Sequence, residues 1–298
     1  MSKEGKGEGA ELVQFRASMV YQGDPLARFL IETLGLRGHI VALAALSWGL
    51  IYIVVLPAIF GGLWSSGEYL GSLHDWHAQS LLLLVFPAVC AFYLWQPGGV
   101  AGVYAAILSR DRSCEVGTPY GRRIWTCLSL IFALAVILFD LPKMMASYGS
   151  WWMVQNWLTI AGREASLAIA FYMMSTMAWR QAIATLEWRQ LLGRPSIAAA
   201  LEAVSRYGLK CAFLLALLGL RLSVEGIELP QRAGAITPDY YVKIAIYVGA
   251  TLACFFAPMS GMPWCGLRTS RDHVITLLHL AGIMALPLLG YVFLKLVL

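Results

Sequence analysis

The sequence predicts an all-α, polytopic integral membrane protein: a bundle of about seven transmembrane helices with its N-terminus in the cytoplasm. Three observations predict this fold class. The 298 residues are 59% hydrophobic and only 13% charged, with a mean hydropathy of +0.68. Long stretches contain no Asp, Glu, Lys or Arg and are long enough to cross the hydrocarbon core of a bilayer. The basic residues fall mostly on one side of the resulting topology.

Charge-free stretches set the number of helices. The clearest are residues 39–64, 78–109, 244–267 and 274–294, where a water-soluble helix of similar length would carry a polar face. Weaker apolar stretches complete the set, and the fifth span is the weakest. The predicted spans are residues 39–62, 79–108, 123–142, 152–180, 197–223, 241–265 and 273–297.

The N-terminal segment differs in composition from the remainder. Residues 1–38 are charged up to Arg37 and lack the layout of a cleavable signal peptide. They are predicted to form a cytoplasmic or interfacial segment ahead of a transmembrane domain at residues 39–298. Alternating apolar and charged residues indicate a short helix on the membrane surface, broken at Gly23-Asp24-Pro25. A solvated leader fits this pattern equally well.

The distribution of Lys and Arg predicts the orientation. With the N-terminus inside, sixteen of the 22 basic residues fall on the cytoplasmic side and five on the other. Basic residues are enriched in cytoplasmic loops, so the C-terminus is predicted outside. The six cysteines have no Cys-x-x-Cys spacing and none falls in an outer loop, which favours a packing role. Short loops and the lack of a targeting segment favour a bacterial inner membrane.

Several predicted spans contain residues that bend helices. Proline removes a backbone donor and crowds the preceding turn, although proline and glycine are common in membrane helices generally. The second span, at about 30 residues and 1.5 Å per residue, exceeds the roughly 30 Å of hydrocarbon, so it must tilt, break or protrude. The expected break is Pro97-Gly98-Gly99. The candidate hinge residues are Pro57, Pro87, Pro97, Gly98, Gly99, Pro258 and Pro287.

The fifth span carries a stripe of charges. Glu202, Arg206, Lys210, Arg221 and Glu225 follow one another at spacings of 4, 4, 11 and 4, which keeps them on one slowly drifting side of a helix. Charge facing lipid is costly, so this stripe is predicted to face a hydrated cavity, a partner charge or another subunit. In the alternative, its first part is a cytoplasmic extension and its last two residues reach the opposite interface.

Two further pairs and one histidine complete the intramembrane candidates. Arg163 and Glu164 lie between a tryptophan-rich segment and an apolar run, either inside the bilayer or at its outer interface. Asp140 and Lys143, three residues apart at the outer end of the third span, can bridge on one helix face or cap the span. His279 is the one histidine inside a span, which disfavours a bis-histidine haem.

A metal site is the remaining chemical candidate. His74, Asp75 and His77 lie close together in the first outer loop, and imidazole and carboxylate groups are metal ligands. No further ligand is evident, and His-x-x-His alone is a weak signal. The sequence does not identify a cofactor.

These features leave three classes of function. The first is a solute- or ion-conducting protein, a channel, transporter or pore, built from kinked helices and the charged stripe. The second is a structural or assembly subunit of a larger membrane complex. The third is an integral-membrane enzyme using the outer His/Asp group, but the chain has no Walker A, Gly-x-Gly-x-x-Gly, His-Glu-x-x-His or Gly-x-Ser-x-Gly motif, so no enzymatic activity is expected. The expected partners are the lipid bilayer and either copies of this chain or other membrane subunits, not nucleic acid.

Overall fold

A computed structural model describes residues 16–65, 71–110, 119–147, 157–192, 200–233, 238–257 and 271–297. The described residues form helices and contain no strand, which confirms the predicted all-α class. The α-helices are α1 Ala17–Tyr21, α2 Pro25–Arg28, α3 Gly38–Leu50, α4 Leu56–Phe60, α5 Trp76–Gln79, α6 Phe86–Leu108, α7 Arg123–Ser147, α8 Trp157–Leu192, α9 Leu201–Ala233, α10 Pro238–Phe256 and α11 Arg271–Val297.

Three helical stretches are long and apolar enough to cross a membrane. They are Gly38–Phe60, Trp76–Leu108 and Leu201–Ile227, and they coincide with the first, second and fifth predicted spans. Shorter apolar stretches lie in α7, α10 and α11. The described structure therefore contains helices compatible with membrane insertion, while the count of seven spans and the orientation stay predictions.

Wider π-helical turns precede two of the candidate hinge prolines. Residues Ile51–Val55 form a π turn just before Pro57, and Ser80–Val85 form another just before Pro87. A proline ring crowds the carbonyl of the preceding turn, and the wider turn relieves this contact without ending the helix. Each stretch therefore continues through its proline.

The expected break at residues 97–99 is not present. Helix α6 runs from Phe86 to Leu108 with Pro97 in its interior, so the chain stays helical through the expected position of the break. Gly99 allows a close contact there, because a Cβ at this position would lie 3.0 Å from the ring of Tyr207. Pro287 likewise lies within the continuous helix α11, and Pro258 is outside the described residues.

The ends of helices α6, α8 and α9 pack together with helix α1. The C-terminal ends of α6 and α8, the N-terminal end of α9 and helix α1 bury a cluster centred on Tyr104, Trp188 and Tyr207. The Trp188 ring makes edge-to-face contacts with both tyrosines, at centroid distances of 5.9 and 5.1 Å. We call this cluster the aromatic end of the bundle.

The apolar surface of the bundle is extensive. Large side chains on α4 and α7 are mostly exposed, including Ile59 at 68%, Leu138 at 72% and Phe139 at 74%. Helices α10 and α11 are similar, with Ile246 and Leu288 each 65% exposed. Contiguous exposed apolar surface of this kind is unfavourable in water and favourable against lipid. The surface therefore supports a membrane location.

Candidate functional site

Charged side chains from four helices converge at the end of the bundle opposite the aromatic end. Arg221 of α9 donates from Nη2 to Nε2 of His77 on α5 at 2.6 Å. Nη1 of Arg221 also lies 3.6 Å from Oε2 of Glu225, one turn further along α9. Lys243 of α10 forms an ion pair with the other carboxylate oxygen of Glu225.

The fourth helix adds a second ion pair. Arg163 and Glu164, near the start of α8, pair with each other and are largely buried, with side-chain exposures of 13% and 11%. Both lie beside Tyr52 closely enough to interact with it electrostatically. We call Asp75, His77, Arg163, Glu164, Arg221, Glu225 and Lys243 the charged cluster.

A cavity of about 40 Å³ lies beside three members of the charged cluster, Asp75, His77 and Arg163. Asp75, His77, Arg163 and Ser166 supply its polar wall, and the remainder is apolar. The volume suffices for a water molecule or a small ion. Three of the lining residues, Tyr52, Leu81 and Leu82, belong to the π turns that precede the hinge prolines Pro57 and Pro87.

The structure divides the predicted stripe of charges on the fifth span. Arg221 and Glu225 belong to the charged cluster, whereas Glu202 and Arg206 form an ion pair with side chains 70% and 75% exposed. Lys210 is also exposed and lies 5.2 Å from the centroid of the Trp95 ring. Lys210 and Arg221 are eleven positions apart, which is about 16 Å along the helix, so the two groups lie at opposite ends. The alternative interpretation, an exposed extension, describes the first group.

The other sequence candidates do not belong to the charged cluster within the residues that the structure describes. Oγ of Ser65 and Nδ1 of His74 are 3.1 Å apart and hydrogen-bonded, and His279 is exposed on α11. Asp140 and Lys143 have their backbone in α7, and their side chains are outside the described part of the structure.

The described residues do not complete a metal site. The Asp75 carboxylate accepts a hydrogen bond from the backbone N–H of Ala78 at 3.0 Å, as the N-cap of α5, and Nε2 of His77 accepts from Arg221. Among the described residues, no three His, Cys, Asp or Glu side chains come close enough together to hold a metal ion. A metal at His74, Asp75 and His77 therefore stays a prediction without a third or fourth ligand in the described parts.

A buried ion pair that the sequence did not indicate lies deeper in the bundle. Nη2 of Arg180 on α8 donates to Oδ2 of Asp24 at 2.7 Å, and each residue is only 4% exposed. The hydroxyls of Tyr93 and Tyr172 donate to the same carboxylate at 2.5 and 2.7 Å. We call these four residues the buried lock.

Asp24 receives two more hydrogen bonds because it is also the N-cap of α2. The backbone N–H groups of Leu26 and Ala27 donate to its Oδ1 at 3.1 and 3.2 Å. Five donors thus surround one carboxylate, which compensates for its removal from water. The lock fastens residues 16–38, the described part of the N-terminal segment, into the bundle, so this part belongs to the packing.

The aromatic end includes a half-buried carboxyl group, that of Glu187. The hydroxyl of Tyr104 donates to the half-buried Glu187, and Tyr104 and Tyr120 are hydrogen-bonded with their oxygens 3.0 Å apart. Burial raises the pKa of the Glu187 carboxyl, and the hydrogen bond from Tyr104 opposes this shift.

Comparisons with known proteins add no assignment. No protein-family model matches this chain, and no curated protein or solved structure matches it.

Proposed function

We propose that this chain spans a bacterial inner membrane seven times, with its N-terminus in the cytoplasm, and conducts a small solute or ion through the helix bundle. The observation that supports this proposal is the charged cluster. Arg163, predicted from the sequence as an intramembrane charge, lines a cavity inside the bundle together with His77, and it pairs with Glu164. Arg221, predicted in the same way, contacts His77 and Glu225. Charges that only anchored helices to an interface would not require shared burial.

The pairing within the cluster allows exchange of partners. Glu225 is shared between Arg221 and Lys243, and Arg221 is shared between Glu225 and His77. An ion or polar solute that enters can replace one of two partners and leave the other in place. The cost of breaking each contact is then partly offset by the contact that remains.

The π turns supply places where the wall of the cavity can move. Tyr52 and Leu82 line the cavity and belong to turns that already depart from regular α-helical hydrogen bonding. Such turns precede Pro57 and Pro87, the two candidate hinges of the first and second spans. The proposed motion is a local rearrangement of these turns beside the charged cluster.

Reconstitution into planar bilayers tests conduction. The wild-type protein in symmetrical KCl is expected to carry a current, and Arg221→Leu is expected to change its amplitude or ion selectivity. Arg189→Leu is the matched control, since Arg189 is exposed at the far end of α8. His77→Gln repeats the test without removing a charge, in case Arg221→Leu does not fold. The proposal would be refuted if the wild-type protein carried no current in KCl and did not speed the swelling of vesicles in glycerol.

A structural subunit of a larger membrane complex is the second candidate. It is favoured by the small volume of the cavity, about 40 Å³, and by the ion pairs that surround it. Purification from native membranes in mild detergent separates the two proposals. Stoichiometric co-purification of other chains, together with silent bilayers, would establish the structural role, whereas an isolated monomer would exclude it.

A further inference from the structure

A second and larger cavity opens on the side of the bundle. It has a volume of about 400 Å³ and lies between α6, α8, α9 and α10. Alanines occupy the wall where a larger side chain would fill the space, and Ala178, Ala182 and Ala253 are exposed at its mouth between α8 and α10. The volume falls in the range of about 300–1,000 Å³ that is typical of small-molecule sites. We call this feature the lateral cavity.

The walls of the lateral cavity are neutral. Phe92, Trp95 and Leu214 contribute apolar surface, and no charged side chain is among the described residues that line it. Lys210 lies 5.2 Å from the centroid of the Trp95 ring, but it is exposed and is not a lining residue. A charged ligand would lose its hydration here without gaining a counter-charge. The occupant is therefore expected to be uncharged and largely apolar.

One part of the wall is polar and only partly satisfied. Gln96 is 4% exposed, and its Nε2 donates to the carbonyl oxygen of Met177 at 2.9 Å. Within the described structure, Oε1 of Gln96 has no hydrogen-bond partner. Oε1 of Gln181 accepts from Tyr207 at 2.9 Å, and its Nε2 has only a long contact of 3.4 Å with Thr185.

This polar wall offers an unused acceptor beside a weakly used donor. A buried acceptor without a partner is unfavourable, and a ligand that donates to it removes this cost. A hydroxyl group can both donate and accept, so it matches the pair of amides. Gln96, Gln181 and Thr185 all line the cavity together with the apolar wall.

We propose that the lateral cavity binds a neutral, single-chain amphiphile whose head is a hydroxyl group. The apolar chain lies against the Phe92 and Trp95 wall, and the head reaches Gln96 and Gln181. The ligand enters laterally between α8 and α10, where the alanines leave the cavity open. This binding depends on the membrane location of the protein and not on conduction, so failure of either proposal leaves the other standing.

Photolabelling in vesicles tests the site. The probes are dodecanol and dodecanoate, each carrying a diazirine on its chain, and labelled peptides are located by mass spectrometry. Dodecanol is expected to label the cavity stretches of α8 and α10, with competition by unlabelled dodecanol. Labelling of the same stretches by dodecanoate is expected to be about tenfold weaker or less, because its charge has no partner there.

Two variants define the requirements of the site. Ala253→Phe fills the mouth and is expected to lower specific dodecanol labelling about tenfold. Ala245→Phe is the matched control, since Ala245 is also exposed on α10 but does not line the cavity. Gln96→Leu is expected to lower dodecanol labelling about three- to tenfold and to leave labelling by a diazirine-bearing dodecane unchanged.

Several results would overturn the proposal. Labelling spread evenly over all exposed apolar helices, or unaffected by Ala253→Phe, would show that dodecanol only dissolves in the lipid around the protein. Equal labelling by dodecanoate would contradict the neutral site. Cross-linking of a cysteine placed at Ala253 to a second copy of the chain would show that another protomer, and not a lipophilic alcohol, covers the opening.

Discussion

The buried lock and the charged cluster use the same kinds of side chain in opposite ways. In the lock, one carboxylate receives five donors, and both charged residues are 4% exposed. In the cluster, Arg221 and Lys243 share Glu225, and their side chains are 24% and 42% exposed. The lock has one arrangement with every acceptor position used, while the cluster has partners in common. The fully used carboxylate of the buried lock suits a structural role. The shared partners of the charged cluster suit a site where a solute replaces one ion-pair partner.

Breaking the lock is expected to have the largest effect. Asp24→Asn leaves the Arg180 guanidinium buried beside a neutral amide, and removal of one partner of a buried ion pair typically costs about 3–5 kcal/mol. The change is measured as a shift of the thermal unfolding midpoint in detergent. Glu32→Gln, in the exposed pair with Arg28, is the control and is expected to cost about 0.5 kcal/mol or less. Equal shifts of the unfolding midpoint for Asp24→Asn and Glu32→Gln would contradict the claim that the buried ion pair stabilises the fold more than the exposed one.

The tyrosines of the lock should show coupling with Asp24. Tyr93→Phe and Tyr172→Phe each remove a hydrogen bond to a charged group, with an expected cost of about 1.5–3 kcal/mol. In the Asp24→Asn background the same changes should cost clearly less, because the charge is already lost. Strict additivity in this double-mutant cycle would mean that the four residues do not act as one network.

Glu225→Gln is expected to have an intermediate effect. It leaves Arg221 and Lys243 close together without their shared carboxylate, but both are partly exposed and Arg221 keeps its contact with His77. We expect a loss of about 1–2 kcal/mol, between a buried pair and a surface pair. Glu202→Gln, in the exposed pair on the same helix, is the control. A loss of stability as large as that of Asp24→Asn would show that the charged cluster has a structural role like that of the buried lock.

The smallest expected effect is at the aromatic end, where Glu187→Gln should change only the pH dependence of stability. Because burial raises the folded-state pKa of Glu187 above its unfolded value, the stabilising contribution is complete below the ordinary glutamate pKa. It is lost as the pH rises through the raised pKa. Unfolding midpoints measured from mildly acidic to neutral pH should therefore decline slightly in wild type. The Glu187→Gln variant should lack this part of the decline, and an identical pH profile would refute the assignment.

The sequence indicated the helical class and which charged residues lie within apolar stretches. It did not indicate which distant residues contact one another. Composition alone indicates apolar helices, and the cost of charge in lipid indicates that Arg163, Glu164, Arg221 and Glu225 face inward. Two failures have physical causes. Pro97 sits in a continuous helix and is buried, and packing against neighbouring helices allows a proline in a helix interior. Asp24 and Arg180 are 156 residues apart, and no local pattern links residues so distant.

The lateral cavity was also invisible in the sequence. Its alanines are ordinary residues of membrane helices, and only the spacing between α8 and α10 turns them into an opening. The glutamines at its wall have no recognisable motif. A cavity forms where no side chain fills the space between packed helices. Its position therefore depends on tertiary packing, which the sequence pattern does not reveal.

Site-directed labelling of single cysteines in oriented membrane vesicles tests the central claim most directly, namely that the apolar helices cross a bilayer with the charged cluster enclosed. In a background with serine in place of the native cysteines, Arg122→Cys and Arg189→Cys should react with an impermeant maleimide from the same side. Ser65→Cys should react only from the opposite side. Labelling of residues 122 and 189 from opposite sides, or a protein that stays dispersed in buffer without detergent, would contradict the account.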